Sequence, residues 1–243
     1  MEKVVSVKNL TKVFGDIIAV SNISFDIFEN EVFGLIGPNG SGKTTTQRML
    51  STILEPSSGK ILFHHQKSGV LHHDKIRKTI GYVPQGNCLY GDLTVFENLD
   101  LFSKAYDLNR EKRLKKIKSL LNRLGLMTKK NALVRTLSGG FAKRTSIAAA
   151  LVHEPKILFL DETTTGLDPN SRYHLWDLIK ELKKESTIIL TTHYMDEVEK
   201  LCDRVLILSE GKIANIGKTA QILKDYDSKD LNEVMGQVIK NEK

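Results

Sequence analysis

Gly37-Pro38-Asn39-Gly40-Ser41-Gly42-Lys43-Thr44 fills every fixed position of the pattern G-x-x-x-x-G-K-[S/T]. Glycines let backbone N–H groups curl around a phosphate without side-chain interference. A helix beginning at Lys43 would aim the positive end of its dipole at the same phosphate. Lys43 would reach the β- and γ-phosphates of a nucleotide, the Thr44 hydroxyl would ligate Mg²⁺, and Thr45 would lie against the phosphates beside it. A second chemical element is the apolar run Ile157-Leu158-Phe159-Leu160 closed by Asp161-Glu162. A buried strand delivers its last residues to the sheet edge, where ligands of α/β folds sit. There Asp161 would hold Mg²⁺ through water, and Glu162 would polarise an attacking water. A third is Leu137-Ser138-Gly139-Gly140 ahead of an alanine-rich helical run. With Ser138 as the expected N-cap, a second glycine-bearing helix start suggests a second anion site.

These residues need a scaffold that brings distant segments to one edge. Strand patterns fall at 3–7, 23–28, 32–36, 60–63, 80–83, 157–160, 187–191 and 204–208. Helical patterns fall at 43–54, 171–184 and 195–200, with a turn at 56–59 and a largely helical stretch from 88 to 151. Strand alternating with helix predicts an α/β fold on a parallel sheet, with the helical stretch inserted into it.

The 243 residues, 40% of them hydrophobic, suffice for one domain with a subdomain, and 27% charged residues exclude a disordered chain. No apolar run approaches the ~20 residues that cross a bilayer. The opening MEKVVSVKNL lacks the apolar stretch of a signal peptide, so a cytosolic location is expected. Cys88 and Cys202, without companions at metal-ligand spacing, read as free thiols. The net charge of +7 gathers partly in 110–130, where Leu114, Ile117, Leu120, Leu121 and Leu124 recur at helical spacing between basic residues. That is an amphipathic helix with a solvated basic face; without interleaved aromatics it does not predict nucleic-acid binding. His64, His65, His72 and His73 form two pairs in a polar hairpin region and read as surface residues, not a metal cluster.

Taken together, these motifs resemble those of the ATP-binding subunits of ABC transporters. The phosphate loop (Walker A), Leu137-Ser138-Gly139-Gly140 (the signature) and the strand ending in Asp161-Glu162 (Walker B) occur in the family's order. Gln85 in Tyr82-Val83-Pro84-Gln85 resembles the Q-loop glutamine, and Gly166-Leu167-Asp168 the D-loop. His193, after Thr191-Thr192, resembles the switch histidine, and Phe14 lies where the family stacks an aromatic ring on adenine. The resemblance runs from about residue 4 to 217. Two positions depart from it: Phe141 stands where glutamine is frequent, and Thr163 where proline is common, which would leave that turn more mobile.

The resemblance implies a P-loop NTPase core with an N-terminal antiparallel β subdomain and an inserted α-helical subdomain. The core would comprise 1–86 and 152–220, the helical subdomain 87–151, and a short helical extension 221–243. It implies ATP hydrolysis with Mg²⁺ held by Thr44, Gln85 and Asp161, with Glu162, His193 and Gln85 catalytic. Two copies would pair head to tail around ATP, as a homodimer. Ser138, Gly139 and Gly140 of one copy would meet the nucleotide on the other's Lys43, and Asp168 would link the two sites. An integral membrane permease would be the second partner, docked to the helical subdomain, and the chain would sit peripherally on the cytoplasmic face of the membrane. Ile80-Gly81-Tyr82, Thr192-His193-Tyr194-Met195-Asp196-Glu197-Val198-Glu199, Leu201-Cys202-Asp203-Arg204 and Asp230-Leu231-Asn232-Glu233-Val234-Met235 resemble the drug, antibiotic and polysaccharide exporters, so export is expected. The alternatives are a soluble ATPase of iron–sulfur cluster assembly, a translation or DNA-repair protein, and a regulator that binds without hydrolysis. The presence of Glu162 and His193 argues against the last.

Overall fold

The computed structural model describes residues 2–65, 69–70, 73–86, 88–106 and 108–240, with backbone alone for 65, 69–70 and 73–74. Two sheets carry the fold. The first has the order β2-β1-β4-β5, formed by β1 (Lys3–Phe14), β2 (Ile17–Phe28), β4 (Ser58–His65) and β5 (Gly69–Val70). Its pairings are all antiparallel.

The second has the order β10-β9-β3-β8-β7-β6. Its strands are β3 (Val32–Ile36), β6 (Ile80–Val83), β7 (Ile157–Asp161), β8 (Thr187–Thr191), β9 (Arg204–Ser209) and β10 (Lys212–Gly217). Five of them are parallel. The expected parallel sheet is present, and a further edge strand not read from the sequence, β10, runs antiparallel to β9. The cause is local. Glu210 and Gly211 both have positive φ, 46° and 75°, which is the geometry of a two-residue hairpin turn.

Strict alternation explains why β7 is apolar up to Asp161 and β8 between its two terminal threonines. Phe159 and Ile189 face the antiparallel sheet, whereas Leu158, Leu160, Ile188 and Leu190 face a helical layer. A strand covered on both faces has no solvent side to leave polar. The helical layer comprises α3 (Val95–Ala105), α4 (Arg110–Arg123), α5 (Gly139–Leu151) and α6 (Pro169–Leu182). The remaining helices are α1 (Lys43–Leu50), α2 (His73–Arg77), α7 (Met195–Leu201), α8 (Thr219–Asp225) and α9 (Leu231–Lys240).

Helix α1 stops at Leu50, short of the expected 54. Thr52 takes φ 61°, and the amides of Ile53 and Leu54 turn back onto the Arg48 carbonyl. A left-handed residue past the last turn closes a helix in this way. The expected turn at 56–59 is half strand, since β4 begins at Ser58. The helical extension begins at Thr219 with α8, before the expected 221.

On α4, Ile117, Leu120 and Leu121 are buried as predicted, but Leu114 is exposed. Several of the basic side chains there are paired within the chain: Arg113 with Asp100, Lys115 with Glu111, and Arg123 with Glu181 and Glu185. His64 Nε2 lies 3.0 Å from Ser6 Oγ, which donates to Asp26. His72 and the side chains of His65 and His73 lie outside the described residues. No group of metal-ligating side chains occurs among the described residues. Both cysteines are free thiols.

Candidate functional site

The phosphate loop connects β3 to α1 at the carboxyl end of the central strand. Its backbone is one that only glycine supplies cheaply. A Cβ on Gly37 would lie 2.1 Å from the Leu208 carbonyl oxygen, and one on Gly42 (φ 97°) 2.5 Å from that of Ala19. Gly42 is also the N-cap of α1 and brings no side chain to it, so the first amides of the helix keep their donors for a ligand. Ser41 Oγ is buried beside them without a hydrogen-bond partner. A buried hydroxyl left so is costly unless an anion completes it. Lys43 is only 8% exposed and donates to the carbonyls of Gly37 at 2.8 Å and Pro38 at 2.7 Å. Burial lowers its pKa, opposed by the nearby charges of Glu162 and Asp161. Thr44 is exposed and Thr45 partly so, beside Asn39 and Gly40 on the open rim of the loop.

Asp161 ends β7 and is fixed from two sides. Its Oδ1 accepts from Thr191 Oγ1 at 2.6 Å, and its Oδ2 from the Tyr82 hydroxyl at 3.0 Å. Burial, with the Asp161 charge adding to it, pushes the Tyr82 pKa well up, so this phenol stays a donor. The next residue, Glu162, takes φ 44° while its amide still bonds to the Thr191 carbonyl at 3.0 Å. For a side-chain-bearing residue that conformation costs on the order of 1–2 kcal/mol, and such strain gathers at functional sites. Glu162 Oε2 accepts from Gln85 Nε2 at 2.8 Å and lies 3.6 Å from His193 Nδ1. Thus Gln85 from the end of β6, Glu162 from the end of β7 and His193 from the end of β8 converge at one sheet edge. The arrangement offers oxygen ligands suited to Mg²⁺ on Thr44 and Asp161. It also offers a carboxylate bracketed by two groups that can orient a water. Phe14, at the tip of the first hairpin, is 47% exposed, with Lys12 Nζ 5.1 Å from its ring centre. A flat ring so presented can stack on a base.

Ser138, Gly139 and Gly140 lie apart from this cluster. Among the described residues no hydrogen bond or ion pair joins them to Lys43, Asp161 or Glu162. Ser138 has N-cap backbone geometry, but its side chain makes no capping bond, which corrects that detail of the expectation. Ser138 and Gly139 are exposed and Gly140 is partly so. Around Gly140 the fit is tight: a Cβ there would meet Ser171 Oγ at 2.7 Å. Asp168 caps α6 by accepting from the Ser171 amide at 3.0 Å, and hydrogen bonds from Ser171 lower its pKa. One chain therefore carries two glycine-bearing helix starts, at α1 and at α5. Phe141 carries Arg144 4.5 Å and Lys129 5.8 Å from its ring centre. Thr163 is fully buried, its hydroxyl without a partner.

Sequence reasoning missed several residues that set this geometry. Thr191 and Tyr82 hold Asp161. Lys143 of α5 donates to the backbone carbonyls of Gln85 at 3.0 Å and Pro84 at 3.3 Å. Only the threonine, at a strand end facing Asp161 across the parallel pair, had a signal available in the pattern.

A groove of about 410 Å³ separates the core from the helical layer, lined by Ile53, Tyr82, Cys88, Phe102, Tyr106 and His153 among others. His153 stacks flat on Tyr106, with ring centres 3.7 Å apart, and bonds through Nε2 to the Ile80 carbonyl at 2.9 Å. Among the described residues no helix is long and apolar enough to cross a membrane.

A family model described as "ABC transporter" matches residues 20–165. The Nod factor export ATP-binding protein I of Cupriavidus metallidurans is 35% identical over 237 residues, 97% of this chain and 78% of that protein. Among solved structures, cbiO1 from Clostridium perfringens, part of the transporter complex cbiONQ, superposes with a TM-score of 0.84 at 32% identity. It covers 93% of this chain, and the match spans 92% of that one. An ATP-binding cassette solved as a dimer in a post-hydrolysis state, with ADP and Pi bound, gives 0.77 at 29% identity over 88% of this chain and 98% of its own.

Proposed function

The chain belongs to the ABC transporter ATP-binding family, and from that premise we propose that it powers export through a separate membrane subunit. It binds and hydrolyses ATP. The observation that carries the reading is the convergence of Gln85, Glu162 and His193 beside the phosphate loop, with a second, exposed glycine-bearing helix start on the same chain. In this reading Lys43 exchanges its two loop carbonyls for the β- and γ-phosphate oxygens. The amides of 40–45 and the Ser41 hydroxyl complete the cradle. Phe14 stacks on the adenine. Thr44, Asp161 and Gln85 hold Mg²⁺, which offsets the charge of the phosphates when bound. Glu162 accepts the proton of the attacking water, and Gln85 and His193 orient that water. Ser138, Gly139 and Gly140 serve the nucleotide of a second copy, with Asp168 between the two sites. Exposed residues at a helix N-terminus suit a γ-phosphate delivered from outside the chain.

The membrane subunit would insert a helix into the groove between core and helical layer. The permease and the position on the cytoplasmic face of the membrane belong to this proposal, as do the divisions at 86/87, 151/152 and 220/221. Export rests on the similarity to an export subunit. The similarity gives no support to a role in iron–sulfur cluster assembly.

Glu162→Gln tests the chemistry. The variant should bind ATP and dimerise on it, yet release phosphate about 10²–10⁴-fold more slowly, the usual contribution of a positioned base. A wild-type rate removes Glu162 from that role.

A further inference from the structure

Glu197, the third residue of α7, is an ionisable group with 0% exposure, and the mechanism above does not use it. Its carboxylate collects donors from three elements. Oε2 accepts from Thr164 Oγ1 at 2.9 Å, and Oε1 from Trp176 Nε1 of α6 at 2.9 Å. The Thr192 hydroxyl donates to it as well. Thr192 Oγ1 in turn accepts from the Tyr194 amide at 3.1 Å, which commits its hydrogen to the carboxylate.

The placement of these donors is the point. Thr164 lies two residues after Glu162, in a turn closed by the Thr165 amide on the Glu162 carbonyl at 3.2 Å. Thr192 immediately precedes His193. One buried carboxylate therefore ties the turn carrying Glu162 to the turn carrying His193, and anchors both to α6.

Stability gives no reason for a charge here. Among the described residues no cation pairs directly with Glu197. Arg172 contributes a favourable charge from nearby, but its guanidinium bonds Asp196 at 3.2 Å and stacks over Tyr194 and Trp176. Burial raises the Glu197 pKa above its ordinary value despite the three hydrogen bonds. A group raised in this way stabilises the fold most when protonated, and that stability is lost as pH rises through its folded pKa. At neutral pH, keeping it ionised therefore costs stability, and a neutral amide of the same shape removes the cost of the buried charge. What the carboxylate provides is an acceptor-only group for three donors, which an amide cannot match.

We propose that Glu197 is a positioning residue for ATP hydrolysis, holding the Glu162 and His193 turns in mutual register. The inference rests on the reading of Glu162 and His193 as the groups that act on the water. Misplacement of a reacting group by about 1 Å can cost as much as 10²-fold in rate.

The test is steady-state ATP hydrolysis and thermal unfolding of Glu197→Gln, Thr164→Val and the double variant, beside Glu162→Gln. Glu197→Gln should lower kcat by about 10- to 100-fold with the KM for ATP nearly unchanged and the unfolding midpoint unchanged or raised. Thr164→Val should lower kcat in the same sense, and the double variant should lose little more, because both act through one network. An unchanged kcat in Glu197→Gln overturns the proposal. So does a fall in kcat that tracks a fall in unfolding midpoint, which is what a purely structural residue gives. If Glu197→Gln does not fold, Thr164→Val decides on the same readings. A slow Glu162→Gln beside a wild-type Glu197→Gln defeats this inference alone, whereas a wild-type Glu162→Gln defeats the reading beneath it.

Discussion

Phe14 and His153 show how much a single residue's surroundings decide. Phe14 is held only by its place at the end of β1 and by Lys12 over its ring. Stacking on a base is worth about 1–1.5 kcal/mol, so Phe14→Ala should raise the KM for ATP roughly 5- to 10-fold and leave kcat alone. Phe14→Tyr should change neither. Steady-state kinetics on both variants checks this, and a kcat effect without a KM effect would speak against stacking. His153 is a different case. Its Nε2 meets a carbonyl and therefore carries the hydrogen, and its Nδ1 is buried without a partner. Burial, with Lys116 adding to it, lowers the imidazole pKa. The sign follows: the neutral ring's stability is fully present above the ordinary imidazole pKa and is lost as pH falls through the lower folded value. The unfolding midpoint of the wild type should drop more steeply on acidification below about pH 6.5 than that of His153→Gln, which cannot charge. Equal slopes would contradict it.

At the scale of elements, what the sequence made legible depended on regular patterning. β3, β6 and β8 match their expected bounds because each is a short apolar run between polar punctuation. β1 and β2 each extend over 12 residues, more than the expected runs, because their pairing slips at several points and Asn9 and Asn22 take positive φ there. Bulges break the alternation on which strand recognition rests. β10 went unread because Glu210-Gly211 is not one of the usual hairpin dipeptides and the strand has no strong apolar stripe. The phosphate loop could be read directly, since its glycines are demanded by sterics. The support of Asp161 by Tyr82, and of the Gln85 backbone by Lys143, could not, since those contacts depend on how separate elements pack; Thr191, at the strand end opposite Asp161, could have been. The groove between α3, α5 and the core belongs to this scale too. Ile53 is 59% exposed at its edge. Ile53→Glu should leave basal ATP hydrolysis and folding intact while abolishing co-purification with a membrane subunit from detergent-solubilised membranes. Retention of that subunit would move the docking site elsewhere.

At the scale of the molecule, the proposal turns on two glycine-bearing helix starts on one chain, at α1 and at α5. The loop at β3 has buried, convergent donors and acidic neighbours. The loop at α5 is largely exposed, and among the described residues no hydrogen bond or ion pair joins its side chains to an acidic group. Two copies arranged head to tail would bring each incomplete surface to the other's complement, and two such sites would close a symmetric dimer. Folding alone thus builds half of each site, and nucleotide would supply the contact that completes it.

The most direct test of that account is phosphate release from two variants, separately and mixed. Lys43→Ala removes the loop lysine, and Ser138→Arg blocks the second surface. Each should be inactive alone. Mixed, one site of each mixed pair regains an intact Lys43 from one copy and an intact Ser138 from the other, so hydrolysis should return in part. A wild-type rate from Ser138→Arg alone, or a mixture as inactive as its components, would contradict the shared site.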